Sequence, residues 1–85
     1  MTTNKPTLQL PLNPTNDYGK ASTVHNIVRM VQPPTFYVGT NKDVEEMNVL
    51  NFTKLENGDY QIETDKAILI ASSLTRINLK SNHQI

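Results

Sequence analysis

An Asn-Gly pair between two strand-like runs constrains this chain more than any other feature. The runs cover residues 47–55 and 59–64, and Glu56, Asn57 and Gly58 separate them. Asn and Gly both tolerate the positive φ angles of a type I′ turn, so this spacing is a strong β-hairpin signal. The sequence therefore predicts two antiparallel strands joined by a tight turn.

Alternation along the first run divides its side chains between two faces. One face is predicted to carry Val49, Asn51, Thr53 and Leu55, and the other carries Leu50, Phe52 and Lys54. Shorter strand-like runs occur at 35–38, 67–71 and 74–79, with polar turns between them.

Asp43 and Glu46 have capping-box spacing, which predicts one helical turn.

Four to five short strands joined by brief turns indicate a mainly β fold with a minor helical part. We expect a small antiparallel β-meander or a barrel-like sheet. The run 67–71 is apolar on both faces, which is typical of a strand covered on both sides. Ile68 and Ile70 are therefore candidate contacts with a second layer or another subunit.

A helical period occurs once, within residues 21–31. Val24, Ile27, Val28 and Val31 share one face of a helix, and Pro33 follows closely enough to end it. These residues are all β-branched, so a strand is the competing interpretation.

Residues 1–20 read as an extended N-terminal arm, and residues 21–85 as a single β-rich domain. Prolines interrupt the arm, yet Leu8, Leu10 and Leu12 alternate with other residues at the period of a strand. One interpretation is an arm that adds to a neighbouring chain. The alternatives are an arm that folds back on its own sheet and a mobile terminus.

The small size of the chain makes outside support relevant to its stability. Domains of this size bury only about 60 to 65% of their unfolded surface. The 85 residues include no cysteine and two histidines, His25 and His83, so we expect no disulfide, metal or cofactor. Three copies of His83 could bind a metal ion on a symmetry axis, but only if the protein is a trimer. Oligomerisation is the remaining way to stabilise so small a domain, and a monomer with a modest core is the alternative.

Charge and hydropathy narrow the classes of partner. The formal net charge is zero, which argues against nucleic acid, and no apolar run approaches the roughly 20 residues of a membrane span. The N-terminal residues contain no apolar signal-peptide core, so we expect no secretion by that route. This net charge is the sum of a local charge of −6 over residues 43–65 and of +3 in each of the two regions that flank it. Glu45, Glu46 and Asp59 could form an acidic contact surface, or could simply be charges at solvated strand edges.

Catalytic patterns are absent from the sequence. Neither histidine lies in a nucleophile motif, the three glycines are dispersed, and the adjacent carboxylates of Glu45 and Glu46 point in different directions. We therefore predict a protein without enzymatic activity.

The stretch Tyr60–Ile85, which contains TDKAILIASS and INLKSN, resembles the repeats of needle domains in phage baseplate and type VI secretion spikes. The resemblance implies short strands broken by polar turns in a trimeric, intertwined β-prism. This sequence departs from the family in two places. Ser72 and Ser73 stand where the repeats usually have glycines at their corners, and only His83 corresponds to the paired histidines of some spike tips.

These patterns predict a small viral or phage structural or assembly protein: a decoration, adaptor or spike component that contacts other subunits. It would form a homo-oligomer in a virion or in host cytoplasm. One alternative is an inhibitor that blocks a host protein through its acidic surface. Another is a single-stranded nucleic-acid-binding domain, which would use surface aromatics for stacking.

Overall fold

The computed structural model describes residues 5–80, and within that range the chain is mainly β with one short helix. The strands are β1 (Thr7–Gln9), β2 (Lys20–Thr23), β3 (Thr35–Thr40), β4 (Asp43–Lys54), β5 (Tyr60–Thr64), β6 (Ile68–Ala71) and β7 (Arg76–Leu79). The helix, α1 (Val24–Ile27), lies between β2 and β3. The predicted mainly β class is therefore confirmed.

The strands form one open, mixed sheet in the order β1-β6-β5-β4-β3-β7-β2. Its centre, β3 to β6, is an antiparallel meander, whereas β1 pairs parallel to β6. The predictions of four to five strands and of a barrel-like sheet are wrong. β1 lies in the predicted arm, where the leucines alternate at the period of a strand, and β2 lies where the sequence predicts the helix to begin. Their pairing with β6 and β7 joins residues far apart in sequence, so local patterns do not show it.

The long strand β4 joins the two halves of the sheet. Its first half pairs with β3 and its second half with β5, and the register shifts between Val49 and Asn51. This bulge turns both Val49 and Phe52 toward the core and leaves Leu50 55% exposed. The predicted assignment of Val49 and Asn51 to one face is therefore wrong, because the extra residue breaks the alternation.

The core lies between the inner faces of the two halves of the sheet and α1. Its buried apolar side chains are Val24, Ile27, Phe36, Met47, Val49, Ile62, Ala67, Leu69, Ala71, Ile77 and Leu79. Most of them follow the period of two along their strands, so one face of each strand is buried.

The predicted hairpin between β4 and β5 is present, with a different turn. Gly58 N–H donates to Leu55 O (3.0 Å), and Leu55 N–H donates to Asp59 O (2.8 Å). Gly58 has a φ of 94°, and within residues 5–80 positive φ angles are confined to glycine, so Asn57 does not adopt a type I′ conformation. The loop is a three-residue turn with glycine at its last position.

Residues around β3 and α1 also differ from the local predictions. Asp43 begins β4 opposite Thr40 rather than a helical turn, because the Asn41-Lys42 turn closes a hairpin there. The predicted helix over 21–31 is wrong at both ends. It begins at Val24 because residues 20–23 pair with β7 as a strand, and it ends at Ile27, after which Arg29 and Met30 N–H donate to Asn26 O and Ile27 O in tighter turns. Thr23 caps α1, where its Oγ1 accepts from Asn26 N–H (3.4 Å).

Candidate functional site

The N-terminal arm lies on its own sheet, where β1 forms one edge. Ile68 N–H donates to Pro6 O (2.8 Å), and Leu10 N–H donates to Ile70 O (2.9 Å). Alternate residues of a strand direct their N–H and C=O groups to opposite sides. Leu8 therefore faces β6 with its backbone groups, whereas Thr7 and Gln9 direct theirs away from the sheet. We call these outward groups of Thr7 and Gln9 the β1 edge.

The three arm leucines are not equally exposed. Leu8 lies opposite Leu69 and is 37% exposed, and Leu10 is half-buried against the core. Leu12 is 56% exposed, while its carbonyl accepts from Arg76 N–H (2.9 Å) at the start of β7. The arm thus packs part of its apolar surface against its own chain and leaves the side chains of Leu8 and Leu12 accessible to solvent.

Ile68 and Ile70 lie on the outer face of β6, next to the β1 edge. They pair across the sheet with Thr7 and Gln9 of β1 on one side and with Glu63 and Gln61 of β5 on the other. Both isoleucines are half-buried. They form a small apolar pair on an otherwise polar face.

A buried amide pair fixes the far end of the arm. Asn78 Nδ2 donates to the main-chain O of Asn16 (2.6 Å) and to its Oδ1 (2.7 Å). Asn16 Nδ2 in turn donates to Gly39 O (2.7 Å), on β3. Asn16 is 6% exposed and Asn78 4%, so this network holds the arm in the gap between β3 and β7. No sequence pattern identified either asparagine.

The opposite edge of the sheet is β2. Val24 N–H donates to Thr75 O (2.8 Å), so by alternation Ala21 directs its N–H away from β7. Lys20 lies in this edge strand, and a charged lysine is a common protection of such edges against pairing. The two edges of the sheet are therefore chemically different.

An open groove of about 650 Å³ borders this second edge. Met30 and Val31 are exposed along it, and Lys20 and Lys80 flank it. Val31 is 98% exposed, although the helical period placed it on the buried face. Nothing among residues 5–80 indicates which molecule would cover this groove.

The three acidic candidates do not form one surface. Glu45 and Glu46 are adjacent on β4 and therefore lie on opposite faces, and Glu46 pairs with Lys80 (3.1 Å). Asp59 lies beside Leu55, roughly 30 Å of strand away from Glu46. The local charge of −6 is thus divided between the start of β4 and the residues from Glu56 to Asp65 that follow it.

A second groove, of about 520 Å³, gathers basic side chains from distant parts of the chain. His25 and Arg29 come from α1 and the turn after it, and Lys54 comes from the end of β4. Tyr60 of β5 and Ser73 also line it. The sequence carried only a faint signal for this groove, the separation of four residues between His25 and Arg29.

Residues 5–80 contain neither a cluster of metal ligands nor a membrane-spanning helix. Within that range no cluster of three or more His, Cys, Asp or Glu side chains could hold a metal ion. The single helix described there is also too short to cross a bilayer. His83, the candidate for a metal on a symmetry axis, lies outside the described residues.

Comparison with known proteins finds no match to this chain, whether among family models, curated proteins or solved structures.

Proposed function

We propose that this protein is a non-enzymatic assembly component that acts by pairing with other copies of its own chain through the β1 edge. The observation that carries the proposal is the combination of outward backbone groups on Thr7 and Gln9 with an exposed Leu8 between them. An uncovered edge strand is a template for pairing with another chain.

The β1 edge lacks the charged side chain that often prevents such pairing. Its three residues, Thr7, Leu8 and Gln9, carry no charge, and prolines flank the strand at positions 6 and 11 without entering it. β2 instead carries Lys20 at its start. This difference supports β1, rather than β2, as the edge that pairs.

A two-fold arrangement fits the geometry of β1. If two β1 strands pair antiparallel, Thr7 of one copy lies opposite Gln9 of the other, and their outward groups exchange hydrogen bonds. The two Leu8 side chains then meet at the axis as a non-hydrogen-bonded pair, in which opposing side chains approach most closely. Cyclic dimers of this kind are the commonest homo-oligomers.

Apolar side chains around the edge support the same contact. Leu8 is 37% exposed, and Ile68 and Ile70 lie beside Thr7 and Gln9 on the outer face. A second sheet continued across β1 would reduce the exposure of these groups to water, which stabilises association by about 25 cal/mol per Å² of apolar surface.

A phage particle or contractile injection device, and therefore a virion or host-cytoplasm setting, belongs to the proposal. Its support is the resemblance of Tyr60–Ile85 to spike repeats together with the small strand modules that residues 60–79 form. Co-purification of the protein with assembled particles would test this setting.

Sedimentation velocity over a concentration series from micromolar to near-millimolar tests the pairing. We expect a monomer–dimer equilibrium for the parent protein. Gln9→Pro removes an outward N–H without touching the bonds between β1 and β6, so it should shift the equilibrium to monomer. Leu8→Lys should do the same, because it places two like charges across the axis.

Matched variants elsewhere on the sheet serve as controls. Ala21→Pro removes the equivalent outward N–H from β2, and Leu50→Lys adds a charge at a similarly exposed leucine; both should leave the dimer intact. A parent protein that stays monomeric throughout the series contradicts the proposal. So does a dimer that Ala21→Pro weakens as much as Gln9→Pro.

A further inference from the structure

The groove of about 520 Å³ near the tip of the β4–β5 hairpin has the composition of a binding site. We call it the cationic groove, and its polar lining is His25, Arg29, Lys54, Tyr60 and Ser73. These residues come from three separate stretches of the chain, so the tertiary structure alone brings them together.

Both walls of the cationic groove are held by the fold. On one side, Val24 and Ile27 of α1 are fully buried, and His25 N–H donates to Ser73 O (3.0 Å). On the other side, Lys54 and Tyr60 are direct cross-strand partners in the hairpin, so their side chains share one face. The backbone on both sides of the groove is therefore held by the fold, while His25, Arg29 and Lys54 keep exposed side chains that a ligand can reach.

The charges in the cationic groove have no acidic partners among residues 5–80. Lys5 pairs with Glu63 (3.4 Å) and Lys80 with Glu46 (3.1 Å), whereas Arg29 and Lys54 make no ion pair in that range. Like charges gathered without a counter-ion repel one another and raise the local concentration of anions.

The nearest acids in sequence do not line the groove. Glu56 and Asp59 belong to the hairpin turn, and the Asp59 carboxylate accepts from Asn57 Nδ2 (3.3 Å). The lining therefore presents a positive surface despite the acidic composition of the hairpin.

We propose that the cationic groove binds the phosphate group of a small phosphorylated molecule. Arg, Lys, Tyr and Ser side chains all donate hydrogen bonds, and Arg and Lys only donate. A phosphate ester carries between one and two negative charges and several acceptor oxygens, so it complements such a set. The Arg29 guanidinium can hold two of those oxygens at once, and Lys54 supplies a point charge.

The groove also has room for an organic group attached to the phosphate. Its volume lies within the range of about 300 to 1,000 Å³ that is typical of small-molecule sites. Val28 contributes apolar surface, and the half-buried Tyr60 supplies an aromatic ring on which a planar base can stack. A nucleoside monophosphate is therefore a suitable probe.

Titration of ¹⁵N-labelled protein with AMP, inorganic phosphate and adenosine, at constant ionic strength, tests the site. We expect saturable amide shifts at residues 25, 29, 54, 60 and 73 with AMP, weaker binding of phosphate, and none of adenosine. Arg29→Gln and Lys54→Gln should each weaken AMP binding about ten-fold, since each removes a charge-assisted hydrogen bond.

Arg76→Gln is the matched control, because Arg76 is exposed and does not line the groove. It should bind AMP as the parent does. An absence of saturable shifts, equal binding of adenosine and AMP, or an equal loss in Arg76→Gln overturns the proposal. Binding of a short single-stranded oligonucleotide without binding of AMP also overturns it, and identifies a nucleic-acid backbone as the ligand instead.

Discussion

Gly58 gives the β4–β5 hairpin its turn, because its positive φ of 94° is a conformation that residues with side chains rarely adopt. The Asn-Gly pair correctly located the hairpin, because both residues are rare inside strands and common in tight turns. The pair did not determine the turn type. Only Gly58 takes a positive φ, and Asn57 instead accepts from Asp59 N–H (3.0 Å) through its side-chain oxygen.

Asn16 and Asn78 are the polar residues on which the arm most depends. Their amides bond to each other and to β3 in a buried setting, and no side-chain polar atom buried within residues 5–80 lacks a partner. Asparagine is common in this chain, so sequence patterns do not single out these two residues. Their burial in the folded structure is what distinguishes them.

Asn16→Ala should lower the free energy of unfolding by about 2 to 3 kcal/mol. The change leaves the buried Asn78 amide without one of its acceptors and Gly39 O without one donor, and an unmet buried polar group costs about 1 to 3 kcal/mol. Urea denaturation measures the effect. Asn13→Ala, at an exposed arm position, is the control and should stay within about 0.5 kcal/mol. Equal losses for both variants would contradict the role of the network.

At the scale of elements, β4 decides how the two halves of the sheet meet. It is one strand in sequence, yet its bulge between Val49 and Asn51 changes which side chains face the core. The position of a bulge depends on both paired strands, so alternation read along β4 alone misassigned its second half. The same limit applies to β2, whose partner β7 lies more than 50 residues later.

Phe52→Ala and Leu50→Ala should therefore differ in their effects on stability. Phe52 packs against the core and its truncation should cost about 2 to 4 kcal/mol, whereas the exposed Leu50 should cost less than about 0.5 kcal/mol. Thermal and urea unfolding of the two variants provide the comparison. Without the bulge these residues would share a face, so similar losses would contradict the observed register.

At the scale of the whole molecule, the arm links the two ends of the sheet. β1 and β2 are consecutive in sequence but form opposite edges. Residues between them contact β7 through Leu12 O and β3 through Asn16. The arm therefore behaves as a strap across an open sheet, which is a structural role whether or not its edge also pairs with another copy.

Deletion of residues 1–12 should lower the free energy of unfolding by about 2 to 4 kcal/mol, from lost backbone hydrogen bonds to β6 and lost burial of Leu10. It should also cause concentration-dependent aggregation, because β6 becomes an uncovered apolar edge. Urea denaturation and light scattering measure the two effects. A truncated protein as stable and as soluble as the parent would show that the arm does not pack on the sheet.

The sequence by itself determined the mainly β class, the position of the β4–β5 hairpin and most of the central meander. These features depend on turn residues such as Asn57 and Gly58 and on alternation within single strands, which are local properties.

Only the tertiary structure decided where the arm lies, which strands form the edges of the sheet and how the cationic groove forms. Each of these depends on contacts between residues far apart in the chain, such as Thr7 with Ile68, Lys20 with Leu79 and His25 with Ser73. Local propensity carries no information about such pairings, because the same short polar segment can be a loop or an edge strand according to the partner that packing provides.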